Sequence, residues 1–109
     1  MDGIDGYEEI TLCAASAYEQ KYYFNPEFAA LPEAVQQELQ IACVIFTRDV
    51  GGILTLVFLE DGTLELRTGQ WEDDFSYDEI GSVLKIKELQ REKAELFESL
   101  ELFFRTFYL

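Results

Sequence analysis

Residues 53–59 form an apolar run interrupted only by Thr55, and residues 63–67 alternate between polar and apolar with a period of two. Strands have this period because successive side chains point to opposite faces of a sheet. Between the two segments, Glu60-Asp61-Gly62 consists of residue types that favour a tight turn. The pattern therefore predicts a β-hairpin over residues 52–68.

The register of this hairpin follows from the same pattern. A two-residue Asp61-Gly62 turn places Phe58 opposite Glu65, which mixes apolar and charged side chains on one face. A three-residue loop that ends in an αL glycine places Phe58 opposite Leu64 instead. Because a slip of one residue turns every side chain to the other face, we predict the second register. Its apolar face contains Leu54, Leu56, Phe58, Leu64 and Leu66.

On the N-terminal side of the hairpin, apolar residues recur at intervals of three and four, which is typical of helices. Asp5 and Glu8 resemble a capping box, and the helix that they begin is predicted to run to about Tyr22. A second helix is predicted over residues 32–49. The β-branched run 41–46 leaves a strand as the alternative there.

On the C-terminal side, an apolar stripe without a breaker predicts one long helix over residues 79–107, capped by Asp78 or Ser82. About 28 residues give a rod of about 42 Å, which is long for so small a chain. The predicted fold class is α+β in the order α-α-β-β-α, as one domain over residues 1–109. Two strands are not stable alone, so the helices are expected to cover one face of the hairpin.

The charge of the chain narrows the classes of partner. Its formal net charge is −14 and its isoelectric point is near 4.1. Nucleic-acid binding and docking to anionic membranes both need basic surface, so neither is expected. The first residues lack the pattern of a signal peptide, and no apolar run reaches the ~18–20 residues of a membrane span. We therefore expect a cytoplasmic protein.

The residue types present exclude several common chemistries. The chain has no histidine, which rules out Ser-His-Asp catalysis and imidazole metal sites. Gly51-Gly52 is interpreted as a helix stop before a strand, with close approach by a ligand as the alternative. The acidic run 72–74 lacks the alternating ligands of a calcium loop. No catalytic residue, metal site or cofactor is predicted.

The two cysteines, Cys13 and Cys43, lie within apolar patterns and form no C-x-x-C motif. In a cytoplasmic chain this favours buried free thiols over a disulfide or a reactive pair.

Basic residues are concentrated near the C-terminus. Half of the eight lie within nine positions and alternate with glutamates: Lys85, Lys87, Arg91 and Lys93. This pattern is typical of an exposed, salt-bridged helix face, with pairs such as Glu88–Arg91, Lys87–Glu95 or Arg91–Glu95. The alternative is a basic patch that docks on the acidic surface of another subunit.

Tyrosines are concentrated near the N-terminus, and tyrosine suits half-buried and interface positions because it joins apolar area to a polar tip. Combined with the charged helix ends, they give a candidate interaction surface of eight residues: Tyr18, Lys21, Tyr22, Asp49, Tyr77, Asp78, Lys85 and Lys87.

Three segments together resemble a known family: Tyr-Glu-Gln-Lys-Tyr-Tyr-Phe-Asn (18–25), Phe-Thr-Arg-Asp-Val-Gly-Gly-Ile (46–53) and Tyr-Asp-Glu-Ile-Gly-Ser-Val-Leu-Lys-Ile-Lys (77–87). The chain resembles an uncharacterised family of small acidic proteins, a domain of unknown function, from Gram-positive anaerobic bacteria. The resemblance extends over nearly the whole chain. It implies a bacterial cytoplasmic setting and carries over no activity, cofactor or site residue.

The function expected from the sequence is that of a non-catalytic interaction or regulatory module that acts as a homodimer, with a further protein partner as an option. One alternative is a small enzyme that uses carboxylates and tyrosines, for which one deep pocket lined by Tyr18, Lys21, Asp49 and Asp78 would be the sign. The other is an acidic nucleic-acid mimic that binds a basic protein, which would present a flat face of regularly spaced carboxylates.

Overall fold

The computed structural model describes residues 9–109, which form a four-stranded antiparallel sheet and three α-helices. The elements follow the order β1 (Ile10–Ser16), β2 (Lys21–Phe24), α1 (Glu33–Val50), β3 (Ile53–Phe58), β4 (Leu64–Gly69), α2 (Glu79–Glu92) and α3 (Ala94–Tyr108). Across the sheet the strands are arranged β2-β1-β3-β4. The class is therefore α+β as predicted, but the predicted order α-α-β-β-α is wrong.

The largest error concerns the N-terminal helix, because residues 10–24 form a β-hairpin. A β-bulge between Thr11 and Cys13 interrupts the pairing of β1 with β3. Leu12 and Cys13 are consequently both fully buried, although they are neighbours in sequence. The bulge removes the period of two from the sequence and leaves apolar spacings that imitate a helix. The predicted capping box of Asp5 and Glu8 lies outside the described residues.

Asn25 stabilises the bulge from the end of β2. Its backbone N–H donates to the Leu12 carbonyl at 2.9 Å, and its side-chain amide donates to the Thr11 carbonyl at 2.7 Å. Its side-chain oxygen also accepts from the Glu27 N–H at 3.0 Å and so caps the short 3₁₀ turn at Pro26–Phe28. One buried asparagine thus satisfies carbonyls that the bulge would otherwise leave without partners.

The second hairpin has the predicted register. Phe58 pairs with Leu64 and Leu56 with Leu66. The loop is closed by the Leu59 N–H donating to the Thr63 carbonyl at 2.8 Å, and Gly62 has φ +90°. This is the three-residue loop with an αL glycine. The predicted core face is confirmed, with Leu66 partly rather than fully buried.

The core lies between one face of the sheet and the helices. Six helical side chains are buried in it: Leu39, Cys43 and Phe46 from α1, and Phe97, Leu100 and Phe104 from α3. The Phe104 ring stacks on Phe58 with 4.3 Å between ring centroids, which fixes α3 over the β3–β4 hairpin. On the opposite face of the sheet Arg67 pairs with Glu9 at 2.6 Å.

The predicted helix over residues 79–107 is broken into α2 and α3 at Lys93, whose φ and ψ are −110° and 23°. No proline or glycine marks the break in the sequence. The break lets α2 contact α1 while α3 packs on the sheet, and Lys93 itself donates to Glu38 of α1 at 3.0 Å. Tertiary packing therefore overrides the continuous helical pattern, and the 42 Å rod does not exist.

Helix α1 agrees with the prediction to within a residue at each end, and the alternative of a strand at 41–46 is wrong. Gly51, with φ +85°, ends the helix as expected. Gly52 is closely approached, but by the protein itself: a Cβ there would lie 2.5 Å from the Gly69 carbonyl oxygen and 2.6 Å from the Tyr77 ring. No helix within residues 9–109 is both long and apolar enough to cross a membrane.

Candidate functional site

A groove of about 610 Å³ runs between α1 and α2. Helix α2 is lightly packed, since Ser82 is its single buried residue. Ile80 and Leu84 of α2 are 77% and 62% exposed, and Ile41 of α1 is 58% exposed. Ile41 and Ile45, the latter 41% exposed, line this groove, whereas Ile80 and Leu84 lie outside its lining.

Charged residues of both signs line this groove. Lys93 donates to Glu38 at 3.0 Å across the groove, and Lys85 pairs with Glu88 at 3.2 Å along α2. A second groove of about 590 Å³ shares Asp49, Lys85 and Glu88 with the first. We call the four apolar residues Ile41, Ile45, Ile80 and Leu84, with the charged residues Glu38, Asp49, Lys85, Glu88 and Lys93, the α1–α2 surface.

The start of α2 is fixed by Asp78. Its carboxylate accepts a hydrogen bond from the Gly81 N–H at 2.9 Å and so caps the helix, as predicted. The same side chain lines the second groove with Lys87 and Arg91. Asp78 therefore contributes both to the stability of α2 and to the charge of this side of the molecule.

A different cavity, of about 670 Å³, lies on the other side of α1, where the helix faces the β1–β2 hairpin. We call it the β2-side cavity. Its lining contains Lys21 and Arg48 and no aspartate or glutamate. The volume is within the range of small-molecule sites in proteins.

The two cysteines meet in the core between β1 and α1. Their Sγ atoms are 3.9 Å apart, and both thiols are buried and free, as expected from the sequence. The hydrogen bond with Cys13 and burial both raise the pKa of Cys43, so this thiol is held in its neutral state, whereas the hydrogen bond with Cys43 lowers the pKa of Cys13. Burial followed by the proximity of Cys13 also raises the pKa of Tyr22, whose hydroxyl has no hydrogen-bond partner among the described residues.

A third group of side chains fastens the loop at residues 70–77 to the β1–β2 turn. The Tyr18 ring stacks on Trp71 with 4.2 Å between ring centroids. The Tyr18 hydroxyl donates to Asp74 and accepts from the Trp71 backbone N–H at 3.2 Å. The hydrogen bonds from Tyr18 and Ser76 lower the pKa of Asp74, whereas burial and then the hydrogen bond to Asp74 raise the pKa of Tyr18.

The structure divides the eight predicted surface residues among four places. Four line the second groove beside α2: Asp49, Asp78, Lys85 and Lys87. Lys21 and Tyr22 line the β2-side cavity, Tyr18 stacks on Trp71, and Tyr77 packs on Gly52. The single pocket of Tyr18, Lys21, Asp49 and Asp78 that would indicate an enzyme is therefore not formed.

The predicted charge pairs also differ from those observed. Among the described residues, Lys85 pairs with Glu88 and Lys93 with Glu38, in place of the predicted Glu88–Arg91, Lys87–Glu95 and Arg91–Glu95. Sequence reasoning missed the exposed Ile41, Ile45 and Leu84, although a run that is apolar all round, such as 41–46, already indicates burial on more than one side. It also missed Arg48, although this residue lies in the segment 46–53 that carries the family resemblance.

No group of three or more Cys, Asp or Glu side chains within residues 9–109 is arranged to hold a metal ion. The fold and the site define an acidic α+β domain with a groove on one side of α1 and a cavity on the other. The chain belongs to a family of unknown function (DUF6145), whose model matches residues 9–109. Searches of the curated proteins and of the solved structures found no match.

Proposed function

We propose that this protein is a non-catalytic interaction module that acts as a homodimer, with the α1–α2 surface as the contact between two copies. The observation that carries the proposal is the exposure of apolar side chains on both α1 and α2, beside two adjoining grooves. Ile41, at 58% exposure, lines the first groove, and Leu84, at 62%, lines the second, which shares Asp49, Lys85 and Glu88 with the first. Apolar side chains ringed by charge are typical of protein interfaces.

The distribution of charge favours a second copy of the same chain over an unrelated partner. A two-fold dimer places one patch against itself, so the patch must complement itself. The α1–α2 surface meets this condition because it contains both cations and anions. Lys85 and Asp49, for example, line both of its grooves. A uniformly acidic surface would repel its own copy, given the net charge of −14.

The setting that we propose is the bacterial cytoplasm. The acidic charge argues against nucleic acid and anionic lipid as partners. A regulatory role follows if the surface exchanges a second copy for another protein, since one patch then serves two competing partners.

The experiment is sedimentation equilibrium on the full chain at micromolar concentration. The wild type is expected to sediment as a species of twice 12.6 kDa. Leu84→Asp and Ile41→Asp each bury a charge in the contact, and each is expected to raise the dimer dissociation constant by about 30-fold or more, which corresponds to ~2 kcal/mol.

Leu102→Asp is the matched control, because Leu102 is a leucine of nearly the same exposure (65%) on α3. It is expected to leave the dissociation constant unchanged, and circular dichroism verifies that each variant is folded. A monomeric wild type would overturn the proposal of a dimer. A dimer that dissociates as readily with Leu102→Asp as with Leu84→Asp would place the contact elsewhere.

A further inference from the structure

The β2-side cavity differs in charge from the rest of the molecule. Acids outnumber basic residues by 22 to 8 in the chain. Four other cavities in the described part of the chain each have at least one carboxylate in their lining. The lining of the β2-side cavity has none, yet it contains two of the eight basic residues, Lys21 and Arg48. Glu19 and Asp49 are close to it in sequence but are not part of the lining.

Neither basic side chain forms an ion pair with another described residue. The ion pairs within residues 9–109 engage Arg67, Lys85 and Lys93. Lys21 and Arg48 therefore have no carboxylate partner in this part of the chain. They approach the cavity from different elements, Lys21 from the start of β2 and Arg48 from the last turn of α1.

The remaining walls suit a small organic molecule. Val44 and Tyr22 give it apolar surface, and Gln20, Gln40 and Ser16 give it hydrogen-bonding groups. A guanidinium and an ammonium beside apolar walls form the usual arrangement for a carboxylate or a phosphate attached to an apolar body.

We infer that the β2-side cavity binds a small organic anion, with its carboxylate or phosphate held by Arg48 and Lys21 and its apolar part against Val44 and Tyr22. The site lies on the opposite side of α1 from the α1–α2 surface. A ligand here therefore reaches a helix that also carries the proposed dimer contact, without competing for that contact.

The test is titration calorimetry on the full chain with three probes of the same ring size: phenyl phosphate, benzoate and the neutral benzyl alcohol. At least one of the two anions is expected to bind and the alcohol to bind more weakly. Binding of phenyl phosphate alone identifies a phosphate site, and binding of benzoate alone a carboxylate site. No binding of either anion, or equal binding of the alcohol, would overturn the inference.

Variants locate the site. Arg48→Met and Lys21→Met each remove one charge and keep the apolar stem. Each is expected to raise the dissociation constant of the anion that binds by at least about tenfold. Arg91→Met is the matched control, because it removes the same charge from an exposed helical arginine outside this cavity. Equal weakening by Arg91→Met would show a general effect of net charge and would contradict the inference. Leu84→Asp is expected to leave anion binding intact, so this test is independent of the dimer.

Discussion

The two sides of α1 differ in what they present to solvent. Toward α2 the helix exposes Ile41 and Ile45, and the charges around them have both signs. Toward β2 it presents Val44 and Arg48 to a cavity without a carboxylate. One helix of 18 residues thus carries an apolar strip on one side and a cationic recess on the other.

In the functions that we propose, a strongly acidic chain uses this difference to present two surfaces to two partners. Mixed charge around apolar area would allow two acidic copies to approach each other, and a lining without carboxylates would allow an anion to approach a chain of net charge −14. Net charge alone predicts neither surface. The arrangement of a few residues along α1 decides both.

The largest effect on the free energy of unfolding is expected from a change in the core, because it weakens both sides of α1 together. Leu39 is fully buried on the core face of α1, and Leu39→Ala is expected to lower the free energy of unfolding by about 3 kcal/mol. Ile41→Ala, two residues away at 58% exposure, is expected to change the free energy of unfolding of the single chain by less than about 0.5 kcal/mol. Urea unfolding of both variants in the Leu84→Asp background, which is expected to be monomeric, measures both without a contribution from the proposed dimer contact. Equal destabilisation would mean that Ile41 belongs to the core of the single chain.

A smaller effect is expected from weakening only the α2 side. Asp78→Ala removes the cap of α2 and is expected to lower the free energy of unfolding by about 1 kcal/mol. Asp78→Asn retains an acceptor for the Gly81 N–H and is expected to cost a few tenths at most. Chemical unfolding of the two variants separates capping from charge. If Asn destabilised as much as Ala, the carboxylate charge rather than the cap would be what stabilises α2.

The smallest effect concerns only the β2 side, where Tyr18 in the β1–β2 turn is fastened to Asp74. The pKa of Asp74 is lowered, so its contribution to the stability of the fold is fully present above pH 3.8, its ordinary pKa, and is lost as pH falls through the lower pKa of the folded state. The pKa of Tyr18 is raised, so its contribution to stability is fully present below pH 10.0, its ordinary pKa, and is lost as pH rises through the higher pKa of the folded state.

Trp71, the single tryptophan, stacks on Tyr18 and reports this contact by fluorescence. Its emission is expected to stay constant between about pH 5 and pH 9 and to change on either side. Tyr18→Phe keeps the ring and removes the hydroxyl, so its emission should already be altered at neutral pH. A pH profile of Tyr18→Phe identical to that of the wild type would show that the hydroxyl does not hold the loop.

The two hairpins explain how much of the fold the sequence could predict. Residues 63–67 alternate between polar and apolar, the preceding strand is almost wholly apolar, and Gly62 lies at the position that requires positive φ, so both the strands and their register could be derived. In β1 the bulge at Leu12 breaks the alternation, and the strand is specified by its two neighbours in the sheet. That information is not local to residues 10–16.

The same reasoning applies to the candidate sites. The cluster of basic residues around Lys85 could be found from the sequence. The partner of Lys93 could not, because Glu38 belongs to α1 and helical spacing relates only residues of one helix. Two other arrangements depend on where β1 and β2 lie against α1. Cys13 approaches Cys43, and Lys21 and Arg48 line the same cavity. With β1 predicted as a helix, neither could be derived.

The central claim is that a second copy of the chain docks on the α1–α2 surface. The most direct measurement is an isotope-filtered NOE experiment on a dimer assembled from equal parts of labelled and unlabelled chain. Intermolecular NOEs are expected between the methyl groups of Ile41 or Ile45 and those of Ile80 or Leu84. Intermolecular NOEs confined to other exposed apolar residues, such as Leu102 or Phe107 of α3, would contradict the account. The absence of any intermolecular NOE would contradict it as well.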